Sequence, residues 1–100
     1  MDIDSSEGLN QSICFVLPTF NEEVNIRECI ESIFSYQNQS KHLLIKVLVV
    51  DDNSFDKTQE IVLELKKTFS ELQMITGQKK GLGDAYKRGF QYALEQMDLR

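Results

Sequence analysis

The stretch LLIKVLVVDDNSFD, residues 43–56, runs an almost unbroken apolar segment straight into two adjacent carboxylates. Leu43 to Val50 offers apolar side chains to both faces of a strand. Such a strand belongs in the interior of a parallel sheet covered by helices, so this segment points to an α/β fold. Asp51 and Asp52 then leave the strand at its carboxyl end, and Asn53 and Ser54 are turn formers.

Upstream, Ser12 to Leu17 is a second short apolar run, closed by Pro18, and reads as another buried strand. The period then changes. Ile26, Cys29, Ile30 and Ile33 fall at helical spacing on one face, with Asn21 as a candidate N-cap and Glu22 and Glu23 at the positive end of the helix dipole. Downstream of the paired acids, Asp56 and Gln59 have the spacing of a capping box. Ile61, Leu65 and Phe69, with Val62 beside them, give the next helix an apolar face. Leu72 to Thr76 is a third, weaker strand. A loop, GQKKGLG, precedes a helix whose inward residues are Tyr86, Phe90, Ala93, Leu94 and Met97. Gly89 interrupts that helix at a cost of about 1 kcal/mol relative to alanine, and close packing against a strand would account for it.

About three strands alternating with three helices imply right-handed crossovers and a parallel sheet. In such sheets ligands bind beyond the carboxyl ends of the strands. Three chemically rich loops lie there: Pro18 to Glu23, Asp51 to Asp56, and Gly77 to Asp84.

The chain has 100 residues, enough for one domain. Residues 1–11 are acidic and polar, with neither part of a signal peptide, and read as a disordered tail before a domain over 12–100. A hydrophobic content of 41% suits a soluble globular protein, and a net charge of -5 argues against nonspecific nucleic-acid binding. No apolar run approaches the roughly 20 residues needed to span a bilayer. Cys14 and Cys29 lie in apolar patterns and read as buried thiols, in keeping with a reducing cytoplasm. His42 stands without a second His or Cys at ligand spacing, so no zinc site is expected.

Two classes place paired acids at a strand end. VLVVDDN resembles the opening of a response-regulator receiver domain, but a receiver needs a further Asp closing its third strand, and here that strand ends at Thr76-Gly77. The other class fits three motifs in order. LPTFNEEVNI (17–26), VLVVDDNSFDKT (47–58) and KKGLGDAYKRGF (79–90) together resemble family-2 glycosyltransferases of the GT-A fold, closest to the dolichyl- or polyprenyl-phosphate mannosyltransferases. The resemblance implies a Rossmann-like, nucleotide-sugar-binding N-terminal half. It places Pro18 and Phe20 against the base, Glu22 on its polar edge, Val50 as backbone at the strand end, and Asp52 on base or ribose. Phe20 stands where the family often has Tyr. Asp51 is a further candidate whose alternative role is to cap the following turn. Gly81, Gly83 and Lys80 are candidates for the loop that approaches the sugar-nucleotide cleft.

The family also has a later strand ending in an Asp-x-Asp motif that holds Mg2+ or Mn2+, and no such motif follows the third strand here. The expectation is therefore the N-terminal donor-binding part of a longer enzyme, binding no metal by itself and meeting the cytoplasmic face of a membrane through parts outside this chain. The implied reaction transfers a hexose, mannose from GDP-mannose by preference, to a lipid-linked phosphate. UDP-glucose or UDP-N-acetylglucosamine donors, or a non-catalytic nucleotide-binding module, are the alternatives. In the family's strand order, 3-2-1-4, the fourth strand pairs beside the first. Without it Ile13 to Leu17 forms an open apolar edge, which invites a homodimer.

Overall fold

The computed structural model describes residues 11–39, 42–77, 87–89, 91–93 and 95. It contains β1 (Gln11–Thr19), α1 (Ile26–Ser35), a 3-10 turn (Tyr36–Gln39), β2 (Leu43–Asp51), α2 (Thr58–Leu65) and β3 (Leu72–Thr76). The described residues from 87 to 95 are helical. The strands form one parallel sheet in the order β1-β2-β3. Thr19 pairs with Asp51, and Asp51 with Thr76, so all three strands end at one level. The α/β fold and the 3-2-1 part of the order agree with the sequence reading.

The pleat of β2 sorts its side chains between two cores. Ile45, Val47 and Val49 pack with Ile26, Ile30 and Phe34 of α1 and with Val62 and Leu65 of α2. Leu48 and Val50 face the opposite way, against Ala93, with Cys14, Val16 and Tyr92 at their margin. Each such aliphatic side chain, fully buried, contributes roughly 1.5–3 kcal/mol. Both crossover helices thus cover one face, and the third helical segment covers the other. With right-handed crossovers, a helix on that second face directs any following strand back toward β1, away from β3. Such a reversal would make the end of β1 a topological switch point, where open α/β sheets bind ligands.

Several local expectations are corrected. Helix α1 begins at Ile26, not at Asn21, and its N-cap position is Asn25, with no side-chain cap bond. Asn21 has φ 54°, a left-handed conformation that Asn tolerates better than most residues. Asp56 and Gln59 do not form a capping box: Asp56 accepts from Thr58, and the Gln59 amide turns away to Asp51. The buried residues of α2 are Thr58, Val62 and Leu65, so Thr58 joins the expected face, on which Ile61 packs half-buried. Phe69, beyond the end of α2, stacks on Phe34 with ring centroids 4.5 Å apart. Cys29 is exposed and Cys14 half-buried, and both are free thiols. The Cys14 thiol is shifted up, chiefly by burial, with nearby Lys46 opposing.

Among the described residues no strand pairs with the outer edge of β1. Gln11 N–H donates to His42 O (3.0 Å), and Thr19 O accepts from Asp52 N–H (2.9 Å). In a parallel ladder a residue turns both main-chain groups to the same neighbour and the next residue turns them away. Odd-numbered residues of β1 therefore bond β2, while Ser12, Cys14, Val16 and Pro18 point outward. Pro18, which has no N–H, sits in the one phase where β2 loses no ladder bond.

Gly89 is explained by contact. A Cβ built there would lie 2.5 Å from Val16 Cγ1 and 2.9 Å from Val50 Cγ2. Alanine would favour the helix by about 1 kcal/mol, but it must displace β-branched side chains in a packed layer, at about 1–3 kcal/mol. We expect Gly89→Ala to be net destabilising by about 1 kcal/mol in urea unfolding, against the sign of helix propensity.

Candidate functional site

The site begins with Asp51, the last residue of β2, whose side chain is wholly buried. Its Oδ1 accepts the Thr19 hydroxyl (2.6 Å) and the Ser54 hydroxyl (2.6 Å). Its Oδ2 accepts Ser54 N–H (2.8 Å) and the Gln59 amide (2.7 Å). Burial pushes the Asp51 pKa up, but the hydrogen bonds from Ser54, Thr19 and Gln59 outweigh it and hold the group below its ordinary value. The main chain of Asp51 adds a link, since its carbonyl accepts Gly77 N–H (3.0 Å).

Around this carboxylate the loops after β1 and β2 are laced together. Asn21 N–H donates to Ser54 Oγ (2.8 Å), and Asn21 Oδ1 accepts Phe55 N–H (3.0 Å). Glu22 N–H donates to the buried Thr58 hydroxyl (2.7 Å), which in turn donates to Asp56 Oδ1. Glu23 and the second loop exchange two bonds, Glu23 N–H to Asp56 Oδ2 (3.2 Å) and Lys57 N–H to Glu23 Oε1 (2.9 Å). Phe20 meets Phe55 edge to face at 5.7 Å. Asn21 and Asn53 share φ 54°, so each loop turns on a left-handed Asn.

Asp52 is placed differently from its neighbour. It is 7% exposed, and its Oδ1 pairs with Nη2 of Arg88 on the third helical segment. Pro18 and Glu22 line a cleft of about 190 Å3 at the open side of β1, together with Thr19, Asn25 and Ile26. Asp52, Val50 and Phe20 are not among its walls. The main-chain bond from Asp52 to Thr19 connects the two sides, so the candidates flank the end of β1 rather than share one pocket. The Val50 side chain is fully buried beneath Gly89, and in the β1–β2 register its main chain bonds Leu17 and Thr19. Glu22 is exposed and Pro18 and Phe20 half-buried. Gly81, Gly83 and Lys80 lie outside the described residues.

Sequence reasoning missed the clasp itself: Thr19, Ser54, Thr58 and Gln59, and the Arg88 partner of Asp52. The local signal was a run of short hydroxyl and amide residues at both strand ends, each able to bond nearby backbone. Among the described residues no group of three or more His, Cys, Asp or Glu side chains could hold a metal ion. No step below is routed through a metal. Also among the described residues, no helix is long and apolar enough to cross a membrane.

Residues 14–97 match the model of glycosyl transferase family 2, and the chain belongs to that family. It is 33% identical over 81 residues to a dolichol-phosphate mannosyltransferase of Pyrococcus furiosus, covering 81% of this chain and 22% of that protein. It is 31% identical over 83 residues to the dolichyl N-acetyl-alpha-D-glucosaminyl phosphate 3-beta-D-2,3-diacetamido-2,3-dideoxy-beta-D-glucuronosyltransferase of Methanococcus voltae, covering 81% of this chain and 25% of that protein. The chain thus spans about a quarter of the length of these curated relatives. Its fold is similar to that of a mannosyltransferase from Pyrobaculum calidifontis, solved in complex with GDP-Man and Mn2+. That match has a TM-score of 0.72 and 24% identity over 84% of this chain and 25% of the other.

The clasp predicts an acid-sensitive core. Asparagine at position 51 would turn an NH2 group toward two N–H donors. We expect Asp51→Asn to cost about 2–4 kcal/mol in urea unfolding, the loss of charge-assisted bonds in a buried site. A depressed folded-state pKa stabilises above the unfolded value of about 3.9 and is lost as pH falls through the lower folded value. Wild-type stability should therefore fall on acidification below that value, and the Asp51→Asn variant should show a shallower fall.

Proposed function

We propose that this chain is the donor-binding part of a glycosyltransferase that moves a hexose from a nucleotide sugar to a lipid-linked phosphate, with mannose from GDP-mannose onto dolichyl or polyprenyl phosphate as the first choice. One observation carries the reading: the clasp around Asp51 holds Pro18 and Glu22 on one side of the end of β1 and Asp52 on the other. A nucleoside there would meet an apolar wall and two carboxylates able to accept its N–H and O–H groups. Family membership, the dolichol-phosphate mannosyltransferase relative and the GDP-Man complex of the structural neighbour support the donor and acceptor classes.

In this chemistry an acceptor phosphate oxygen, already anionic, attacks the anomeric carbon as the bond to the nucleoside diphosphate breaks, inverting that centre. No general base is demanded, and none of this chain's residues is assigned that role. The whole enzyme would use Mg2+ or Mn2+ and work at the cytoplasmic face of a membrane through parts outside this chain. The Methanococcus relative is named for a sugar other than mannose, and the second reading has UDP-glucose or UDP-N-acetylglucosamine as donor.

Titration of the chain with GDP and with UDP, with and without Mn2+, followed by amide resonances, tests the reading. GDP is expected to shift Phe20, Glu22 and Asp52 more strongly than UDP does. Shifts confined to the outer α1–α2 surface, or none with either nucleotide, would count against it.

The open edge of β1 supports a homodimer through strand pairing, because Ile13 and Phe15 are 43% and 37% exposed beside outward main-chain groups. Light scattering should detect the dimer, and Ile13→Lys should shift it to monomer while changing folding stability by less than about 0.5 kcal/mol.

A further inference from the structure

We propose that Arg88 is a positioning residue for nucleoside recognition, acting through Asp52. The inference rests on the donor-binding reading above and extends it to a residue outside the two laced loops. The two adjacent acids divide their acceptor sites unequally. Asp51 has both oxygens filled by four donors of the protein. Asp52 has one oxygen, Oδ1, engaged by Arg88 Nη2, and among the described residues its carboxylate takes no other hydrogen bond. Oδ2 is therefore the acceptor that the fold leaves for a ligand.

A carboxylate with a 9% exposed side chain needs a partner to remain charged and oriented at a sheet rim. Arg88 fits that need better than a surface lysine would. Its planar guanidinium directs donors in fixed directions, and its own side chain is only 27% exposed. The space for it is built in. A Cβ placed on Gly77 would overlap the Arg88 guanidinium, so glycine at the end of β3 lets the arginine lie flat there. Gly77 is in turn fixed by its N–H bond to Asp51 O. The third helical segment is held at the same place by Gly89, packed on Val16 and Val50. Arg88 thus ties the segment after β3 to the acid at the end of β2 and sets which oxygen of Asp52 faces outward.

The alternative role for a buried-rim arginine is a direct contact with the donor's diphosphate. Guanosine and GDP separate the two, because only GDP carries phosphate. The test is a double-mutant cycle with Arg88→Met and Asp52→Asn, reading guanosine and GDP affinity by amide shifts, with Arg88→Lys and Gly77→Ala as further variants. We expect Arg88→Met to weaken guanosine and GDP alike by about tenfold, the worth of one charge-assisted bond. In the Asp52→Asn background the same change should have less than about a twofold effect, because the two residues act as a unit. Arg88→Lys should restore part of the affinity, and Gly77→Ala should mimic the loss by displacing the guanidinium with its charge intact. Additive losses in the cycle, or a loss for GDP that spares guanosine, would overturn the inference while the donor-binding reading stood. Wild-type chain that binds neither guanosine nor GDP would overturn both.

Discussion

The buried carboxylate of Asp51 is the constraint on which the rim of this sheet depends. An ionised group without solvent exposure is costly unless its lone pairs are filled. Here they are filled by Thr19 from β1, by Ser54 from the following loop and by Gln59 from α2. One side chain therefore specifies the relative position of two strand ends, a loop and a helix. Its charge makes each of those bonds stronger than a neutral equivalent, and removing any donor would leave part of a charge unmet. That is why the loops after β1 and β2 behave as one unit, with Asn21, Glu22 and Glu23 bonded across to Ser54, Phe55, Asp56, Lys57 and Thr58.

A rim fixed in this way can present neighbouring groups that are not structural. Asp52 follows Asp51 in sequence but turns to the opposite face, because successive residues of a strand alternate. On that face it meets Arg88 rather than the loop hydroxyls. Two identical side chains one bond apart in the main chain thus acquire different roles. Asp51 is consumed by the fold, whereas the Asp52 carboxylate, among the described residues, takes one hydrogen bond, from Arg88.

The topology sets the surroundings of the end of β1. Both crossover helices lie over the Val47 and Val49 face of β2, and the third helical segment lies over the Leu48 and Val50 face. A following strand directed back toward β1 would reverse the growth of the sheet there. Pro18 and Glu22 line the cleft beside β1 together with Val16 and Leu17. In this family member the base-reading candidates and the open edge are therefore two aspects of one topological event.

Much of this was legible in the residues alone. The two-sided apolar run of β2 required a parallel sheet with helices on both faces. The ends of β3 were read as they stand, and Gly89 was read as a close-packing site. Helical period and the strand-end loops placed the paired acids at the carboxyl rim of a parallel sheet, where the strands do end together. Local patterns failed where a tertiary partner outbid a near neighbour. Gln59 looked like half of a capping box, but the buried charge of Asp51 offered its amide a stronger acceptor. Asn21 looked like a helix cap, but its backbone turned left-handed to reach the second loop. The pairing of Asp52 with Arg88 joins residues 36 apart, and no local rule anticipates it. Sequence by itself determined which segments are strands and helices and which ends carry acids, because propensity, periodicity and turn chemistry act over a few residues. The sequence left Asp51 either a ligand contact or a turn cap, and only the tertiary structure decided that it is spent on folding, because that depends on which donors the assembled sheet brings within hydrogen-bond reach.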